Sequence, residues 1–364
     1  MTEQLLFVAA TGFEAARQMR LPAAEHRSNR LHGHSFLASV RAALPELWAD
    51  YPGGELVKLH EQLVNVVKPL DYEYLNKIFQ QPADEHLARW LRNRLALLDA
   101  DSVEMQSTRD AGVILARNGD AHIWRKYGFE AAHQLPNVPH GHKCGRMHGH
   151  GFEVVLHANQ DLDICKISID YDQLDALWAP IRQQLDFACL NDIPGLSNPT
   201  SELISSWIWQ RLKPQLPELS WVTVYETAHC GAHFDGSHYR IWKEMSFDSA
   251  LRLKHAPAGD PRQRIHGHTY TLRLHLQAPL DEVMGWAVDF GDVKSLFTPV
   301  FKQLDHHPLY AIADVDDNDA ASLVRYIRRQ SQAILPQLDR VDLYEKSGCG
   351  VILRWGDHIP VIPV

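Results

Sequence analysis

The chain has 364 residues, too many for one ordinary domain, and 45% of them are apolar, which is enough for packed cores. A formal net charge of −9 makes a nucleic-acid surface an unexpected function, although an acidic protein can hold an anionic substrate in a local basic pocket. Five scattered cysteines, the lack of a long apolar run and the lack of a basic leader before residue 16 predict a cytoplasmic protein without disulfides or a membrane span.

A repeated tripeptide organises the chain. His-Gly-His begins at residues 32, 148 and 266, so the intervals are 116 and 118 residues. One such tripeptide is a weak signal, but three at nearly equal spacing indicate an internal repeat, which has to be identified before any fold is assigned. We therefore divide the chain into three units, residues 1–120, 121–240 and 241–364, packed against one another.

Each unit is predicted to contain the same elements in the same order. A segment similar to Phe-Glu-Ala-Ala precedes the tripeptide, and the residues after the tripeptide alternate between apolar and polar types, as in a half-buried strand. A Leu-Asp pair, a helical stretch and a closing strand follow. In the second unit the helix is predicted over residues 201–212, with Pro199 to Glu202 as its capping region.

The second unit carries a predicted metal site. His148 and His150 are two residues apart on a strand, so their imidazoles point to the same side, and Gly149 between them adds no bulk. His133 lies on the preceding strand, from which it can reach the same face. Three imidazoles suit a catalytic Zn²⁺, which keeps its fourth position open. The alternative is a set of hydrogen-bonded histidines at a strand edge, and we favour zinc.

Cys144 lies four residues before His148, in a polar segment with Lys143 and Arg146. A buried, inert thiol is the usual role of a lone cysteine. Here the neighbouring cations and the predicted metal could lower the pKa of the thiol and make it a usable catalytic group. The thiol could instead be a fourth zinc ligand, and the sequence does not separate these roles.

The second unit resembles the 6-pyruvoyltetrahydropterin synthase superfamily, and within it the 6-carboxytetrahydropterin synthases of the queuosine pathway. The resemblance rests on Phe129 to His150, Leu190 to Leu196, Asn198 to Glu202 and Tyr225 to Thr227. It continues over residues 264–309 of the third unit, whereas the first unit is the most diverged. The implied fold is α+β, and each of three tandem T-fold units supplies four antiparallel strands and two helices. Together they would form a pseudo-trimeric twelve-stranded barrel, and two chains would stack as a homodimer.

The resemblance also implies an activity. Those enzymes convert 7,8-dihydroneopterin triphosphate to 6-carboxy-5,6,7,8-tetrahydropterin at a zinc site, with release of acetaldehyde and triphosphate. By the resemblance, zinc would be bound by the three histidines, Cys144 would move protons, and Glu226 would accept two parallel hydrogen bonds from the pterin ring. Thr200 and Thr227, within the matching motifs, would complete the substrate-binding residues.

No single unit matches the family pattern completely. The family expects Leu-Asp-His, but the second unit has Phe187 in place of the histidine, whereas the third unit has Asp305 and His306. Conversely, Arg17 and Leu251 stand where the first and third units would have the first zinc ligand. We therefore predict one composite site per chain, in which Asp305 and His306 reach across an interface to the zinc, thiol and glutamate of the second unit.

Two other functions stay open. One is a 6-pyruvoyltetrahydropterin synthase or another lyase that cleaves a pterin side chain. The other is a catalytically inactive protein that binds a pterin or a purine, which Phe187 favours if catalysis requires zinc and the Asp-His pair within one unit. In each case the expected ligand is a small molecule rather than a nucleic acid or a membrane.

Overall fold

The computed structural model describes residues 3–21, 25–95, 100–160, 169–315, 317 and 319–356. The first unit contains β1 (Gln4–Arg17), β2 (His32–Ala42), α1 (Glu55–Val67), β3 (Glu73–Tyr74), α2 (Asp84–Leu95), β4 (Ala100–Thr108) and β5 (Ala111–Ala116). The second contains β6 (Ala121–His133), β7 (His148–Gln160), α3 (Tyr171–Leu185), β8 (Ala188–Cys189), α4 (Ser201–Leu212), β9 (Leu219–Thr227) and β10 (Cys230–Phe234). The third contains β11 (Tyr239–Leu251), β12 (His266–Gln277), α5 (Phe290–Leu304), α6 (Ala320–Ser331), β13 (Leu338–Lys346) and β14 (Cys349–Arg354).

Twelve of these strands form one closed antiparallel barrel. β1 pairs with β2 and also with β14, so strands from the two ends of the chain close the sheet. The units meet where β5 pairs with β6 and where β10 pairs with β11. Closure pairs the edge strands, which would otherwise invite association with other chains. The predicted α+β fold, a pseudo-trimeric twelve-stranded barrel of three T-fold units, is confirmed.

Each long helix packs one apolar side against the sheet. The buried residues of α3 are spaced three to four positions apart, which places them on one helical face: Leu174, Trp178, Ile181 and Leu185. They share a core with Phe129 of β6 and Phe152 of β7, whose rings stack 5.0 Å apart. An equivalent ring pair stacks in each of the other two units. None of the helices that the structure describes is long and apolar enough to cross a bilayer.

A β-bulge near the end of one strand in each unit gives one side chain a special direction. The bulges fall at Ser107 in β4, Glu226 in β9 and Glu345 in β13, each of which is skipped in the pairing with the next strand. A bulge places an extra residue opposite one partner and re-aims its side chain. The repeat therefore builds three equivalent positions, and two of them carry a carboxylate.

Candidate active site

Two strands of the second unit bring the three predicted histidines together. β6 ends at His133 and β7 begins at His148, and these residues are directly paired across the antiparallel ladder. His150 follows on the same face as His148 because side chains alternate along a strand. The ring centroid of His133 lies 4.5 Å from that of His148 and 5.2 Å from that of His150. Register and strand period thus suffice to build the cluster.

Backbone carbonyl groups orient two of these imidazoles. Nδ1 of His133 lies 2.9 Å from the Pro199 carbonyl oxygen, and Nδ1 of His148 lies 2.7 Å from that of Arg146. With Nδ1–H donating to the carbonyl, Nε2 keeps its lone pair. Nε2 of His133 is buried and has no hydrogen-bond partner within the described part of the chain. One ligand atom from each histidine and one from Glu226 lie within 4.8 Å of one another, so the four residues could hold a metal ion.

Burial favours the protonation state that binds a metal in two of the three imidazoles. It lowers the pKa of His133 and of His150, because a charged imidazolium loses its hydration inside the protein. Glu226 acts in the opposite direction on both rings, and burial outweighs it. A neutral imidazole has a lone pair for a metal, whereas an imidazolium has none. The surroundings of the cluster therefore favour metal binding near neutral pH.

Glu226 reaches the cluster from the bulge of β9. Its Oε1 lies 3.5 Å from Nε2 of His150, and its Oε2 accepts a 3.0 Å hydrogen bond from the Ser201 hydroxyl at the start of α4. The next residue, Thr227, places its hydroxyl oxygen 3.1 Å from the Cys230 thiol. The carboxylate is thus fixed between the histidines on one side and a helix terminus on the other.

His148, His150 and Glu226 of the cluster line a cavity of about 440 Å³ between the second and third units. This volume lies within the range of small-molecule sites. The predicted residues that line it are Cys144, His148, His150, Thr200, Glu226 and Thr227. The third unit completes the wall with β11, with the loop that carries Trp286 and with the first turn of α5. The second and third units thus enclose a concavity beside the histidine cluster.

Side chains of the second unit hold that loop in place. Asn198 donates a 2.6 Å hydrogen bond to the Met284 carbonyl, and the Thr200 hydroxyl donates to the carbonyl of Gly285 at 2.5 Å. Glu202 accepts a 2.8 Å hydrogen bond from the Ala287 N–H, and burial raises the pKa of Glu202 to about 7. The Thr200 oxygen also accepts from the Leu203 N–H as the N-cap of α4. Thr200 therefore lines the cavity, and its hydroxyl holds the loop of the third unit by a hydrogen bond.

Cys144 lies in the cavity wall but outside the group of four possible metal ligands. Burial raises the pKa of its thiol, and Glu226 adds to this increase, whereas Lys143 partly opposes it. The sequence had suggested a lowered pKa on the basis of the neighbouring cations and the metal. Among the protein groups alone, the loss of hydration is the largest effect, so the thiol keeps its proton at neutral pH.

The equivalent position between the first and second units is built differently. Arg17 replaces the first histidine, and its Nη1 lies 2.6 Å from the buried carboxylate of Asp84. The Ser107 hydroxyl donates to the same carboxylate at 2.7 Å, and the Tyr171 hydroxyl at 2.9 Å. The cavity that remains is about 90 Å³. At the third position, Leu251 is buried where the second unit has His133.

A model of the 6-pyruvoyl tetrahydropterin synthase family matches the chain three times, over residues 8–109, 122–237 and 240–355. Together these segments cover most of the chain. The chain belongs to the 6-pyruvoyl tetrahydropterin synthase family. The three matches confirm the resemblance and the internal repeat that the sequence predicts.

Single-unit members of this family align with one third of the chain. The 6-carboxy-5,6,7,8-tetrahydropterin synthase of Synechocystis sp. is 37% identical over 119 residues, which are 31% of this chain and 91% of the relative. The dihydroneopterin monophosphate aldolase of Pyrococcus furiosus is 30% identical over 119 residues, 32% of this chain and 97% of the relative. The structure of 6-pyruvoyl tetrahydropterin synthase from Caenorhabditis elegans is 19% identical, covers 32% of this chain and 95% of its own, and has a TM-score of 0.30.

The Asp-His pair that the family resemblance implies lies outside the cavity. Asp305 and His306 follow the end of α5, where the Asp305 carboxylate accepts a 3.1 Å hydrogen bond from the Asp248 N–H and lies 3.0 Å from Nδ1 of His306. Lys243, five positions before Asp248 on β11, is part of the cavity wall. Five residues of strand span about 17 Å. The side chain of His306 is 76% exposed, and its part in a reaction stays a prediction.

Sequence reasoning missed the residues that the third unit does place in the wall. These are Lys243 of β11, Trp286 before α5, and Asp289 and Lys294 at the start of α5. The prediction had used the end of α5 instead of its beginning. One signal was available: Asp170 and Asp289 are helix-capping residues at equivalent positions of the repeat. It marks where a helix starts, but it does not reveal which unit the helix faces.

Proposed function

We propose that this chain is a zinc-dependent carbon–carbon lyase of the 6-carboxy-5,6,7,8-tetrahydropterin synthase type, with 7,8-dihydroneopterin triphosphate as its substrate. The observation that carries the proposal is the convergence of three imidazoles and Glu226 in one cluster, of which His148, His150 and Glu226 line a cavity between two units. The names of the two relatives, a 6-carboxy-5,6,7,8-tetrahydropterin synthase and a dihydroneopterin monophosphate aldolase, support a lyase that acts on pterins. Zinc is proposed because three imidazoles are a common ligand set of catalytic zinc sites.

Each group in the cavity has a chemical task under this proposal. His133, His148 and His150 hold the ion, which when bound supplies Lewis acidity at the side-chain oxygens of the pterin. Glu226 accepts parallel hydrogen bonds from the ring N–H and the exocyclic amine, and its bond to Ser201 fixes its direction. The Cys144 thiol lies in the same cavity, where it can exchange a proton with the substrate.

Asp305 and His306 fit this proposal as groups supplied by a second chain. Within one chain about 17 Å of strand separates Asp248, which binds Asp305, from the cavity wall. His306 projects into solvent at the barrel end where β1, β6 and β11 finish, which is also the end that carries the histidine cluster. A homodimer that joins two chains at this end would bring the Asp-His pair of one chain towards the cavity of the other.

Exposed apolar side chains at this end support such a dimer. The residue before each His-Gly-His is apolar and exposed, namely Leu31 (67%), Met147 (51%) and Ile265 (64%). Tyr72 and Phe187, at the positions equivalent to His306, are 84% and 86% exposed. Tyr72, Phe187 and His306 share a positive backbone φ, between 54° and 58°, so the repeat keeps this local conformation in all three units. A threefold set of exposed apolar groups is typical of a surface that another chain covers.

Mixed dimers test this arrangement. Chains with Cys144→Ala and chains with His306→Ala are each expected to be inactive. If His306 serves the second chain, a mixed dimer has one site with both side chains and one with neither. Coexpression in equal amounts should then recover about a quarter of the normal activity, since half of the dimers are mixed. Recovery of no activity would contradict action between chains, and full activity of the His306→Ala chain alone would remove this residue from the mechanism.

The function itself is tested by metal analysis and by product identification. The purified protein is expected to contain one zinc per chain and to convert 7,8-dihydroneopterin triphosphate to 6-carboxy-5,6,7,8-tetrahydropterin, identified by mass spectrometry. Formation of 6-pyruvoyltetrahydropterin or of a simple aldolase product would assign the chain to another pterin lyase of the family. A zinc-containing chain that forms no product would contradict the proposal.

A catalytically inactive binding protein is the second candidate. The observation that favours it is Phe187, which stands where an Asp-His pair would be completed within the unit that holds the histidine cluster. Under that function the cavity would bind a pterin through Glu226 without turning it over. Stoichiometric binding of a pterin, measured by calorimetry together with unchanged substrate, distinguishes this outcome from catalysis.

A further inference from the structure

We infer that Lys243 and Lys294 of the third unit form a subsite for the phosphate groups of the substrate, an inference that rests on the proposed function. Lys243 lies on β11 and Lys294 in the second turn of α5. Both line the 440 Å³ cavity, and both also line a neighbouring groove of about 370 Å³ that continues along α5 past Thr298 and Phe301. The two ammonium groups therefore stand where the cavity opens into the groove.

These two charges are available for an anion. Within the part of the chain that the structure describes, no carboxylate lies within ion-pair distance of either ammonium group. The nearby N-terminus of α5 is already occupied, because the Asp289 carboxylate accepts hydrogen bonds from the Gly291 and Asp292 N–H groups. Lys143 lines only the cavity, so Lys243 and Lys294, rather than the helix end, are the positive groups where the cavity meets the groove.

At the first interface, the positions equivalent to Lys243 and Lys294 carry opposite charges that neutralise each other. The counterpart of Lys243 is Arg125, since each pairs with the first residue of the strand before it. The counterpart of Lys294 is Asp175, five residues after the capping aspartate of its helix. Arg125 and Asp175 bind each other through two hydrogen bonds of 3.0 and 3.2 Å. One interface thus carries a closed ion pair, and the other carries two cations facing an open mouth.

This arrangement selects a class of substrate. A pterin ring at Glu226 occupies the cavity, and a side chain that leaves the cavity passes the two lysines. Only a side chain that ends in an oligophosphate places several negative charges there. Lysine is a strong phosphate ligand as a point charge, and its interaction in a solvent-exposed mouth weakens as salt is added. The subsite therefore favours a pterin triphosphate over a pterin without phosphate.

The test converts the two unpaired lysines into an ion pair like that of Arg125 and Asp175. Lys294→Asp places a carboxylate opposite Lys243, as in the first interface. We expect the KM for 7,8-dihydroneopterin triphosphate to rise about thirtyfold with this change and about fivefold with Lys243→Ala or Lys294→Ala, while kcat changes little. Lys302→Ala is the matched control, because this exposed lysine of the same helix lines neither the cavity nor the groove. An equal KM in Lys294→Asp and in Lys302→Ala would overturn the subsite.

Binding separates this inference from the proposed function. Inorganic triphosphate is titrated into the zinc-loaded protein in the presence of Mg²⁺, with the zinc content measured before and after. Weaker binding by Lys294→Asp than by Lys302→Ala supports the subsite even if the protein forms no pterin product. Equal binding by both variants contradicts the subsite even if turnover is observed. Higher salt should weaken binding by the unaltered protein more than binding by Lys294→Asp.

Discussion

The second unit meets its two neighbours through the same backbone arrangement, but the side chains at equivalent positions and the volume left between the units differ. At its interface with the third unit, His133 lies in a cluster with His148, His150 and Glu226, and the last three line a cavity of about 440 Å³. At its interface with the first unit, Arg17 and Ser107 occupy the positions of His133 and Glu226 around the Asp84 carboxylate, and about 90 Å³ remains. The first interface has a protein cation where the second has room for a metal ion. A few substitutions at fixed strand positions therefore turn a possible metal site into an internal ion pair without disturbing the barrel.

The comparison also teaches what fusion permits. In an assembly of identical subunits one substitution alters every site, whereas three linked units can change independently. The tripeptide with its carbonyl support survives in all three units, since Nδ1 of His32 and Nδ1 of His266 also lie 2.6 and 2.8 Å from backbone carbonyl oxygens. What differs is the residue opposite, namely Arg17, His133 or Leu251. The residue paired with the first histidine of each tripeptide thus decides which unit has three imidazoles.

The largest expected effect comes from removing a proposed metal ligand at the second interface, compared with removing the equivalent histidine of the first unit. His148→Ala should lower the zinc content from about one per chain to nearly none and reduce turnover by at least about a thousandfold, because the remaining groups cannot hold the ion. His32→Ala is the matched control and should leave both quantities unchanged. Metal analysis and initial rates on the two variants decide the matter. Equal losses in both would mean that the interfaces are not functionally distinct.

The next effect concerns stability at the first interface. Arg17→Ala leaves the buried Asp84 carboxylate without its cation, and loss of one partner of a buried pair costs about 3–5 kcal/mol. Urea unfolding should show this decrease in the free energy of unfolding, with zinc content unchanged. The double variant Arg17→Met, Asp84→Asn removes both charges, keeps an acceptor oxygen for the Ser107 and Tyr171 hydroxyls, and should recover most of the stability. A change well below 1 kcal/mol in Arg17→Ala would show that this pair does not stabilise the interface.

The sequence predicts the barrel and the histidine cluster because both follow from period and register. The repeat of His-Gly-His and the alternating strands suffice for three equivalent units, and an antiparallel pair places His133 opposite His148. The position of Glu226 could be predicted only by resemblance, since a bulge is a local departure from register that no alternation pattern encodes.

The composition of the cavity wall could not be predicted for a different reason. Which residues of the third unit meet the second depends on how α5 lies across the barrel, a tertiary relation without a local sequence signal. Lys243 and Lys294 are 51 positions apart and become neighbours of the same cavity only through the fold. The predicted pair at the end of the same helix, Asp305 and His306, lies outside it.

The two interfaces should respond to pH with opposite signs. Burial raises the pKa of Glu202, at the second interface, from 4.5 to about 7. The folded protein therefore binds a proton between these values that the unfolded chain has released, and this group makes the free energy of unfolding decrease as the pH rises from 4.5 to 7. Glu202→Gln keeps an oxygen for the Ala287 N–H and should flatten this decrease. Urea unfolding at several pH values checks it, and an unchanged slope would contradict the raised pKa.

The smallest expected effect is the pH response of His34 at the first interface. Burial, with a further contribution from Arg17, lowers the pKa of His34 from 6.5 to about 4. Between these values the unfolded chain binds a proton that the folded protein does not, so this group makes the free energy of unfolding decrease as the pH falls from 6.5 to 4. His34→Gln keeps a polar group near Arg17 and should make this acid-side decrease shallower by at most one proton. Because His34 is only partly buried, solvent weakens the effect, and the slope should change less than with Glu202→Gln and in the opposite direction. A change of the same sign in both variants would mean that one of the two environments has been assigned incorrectly.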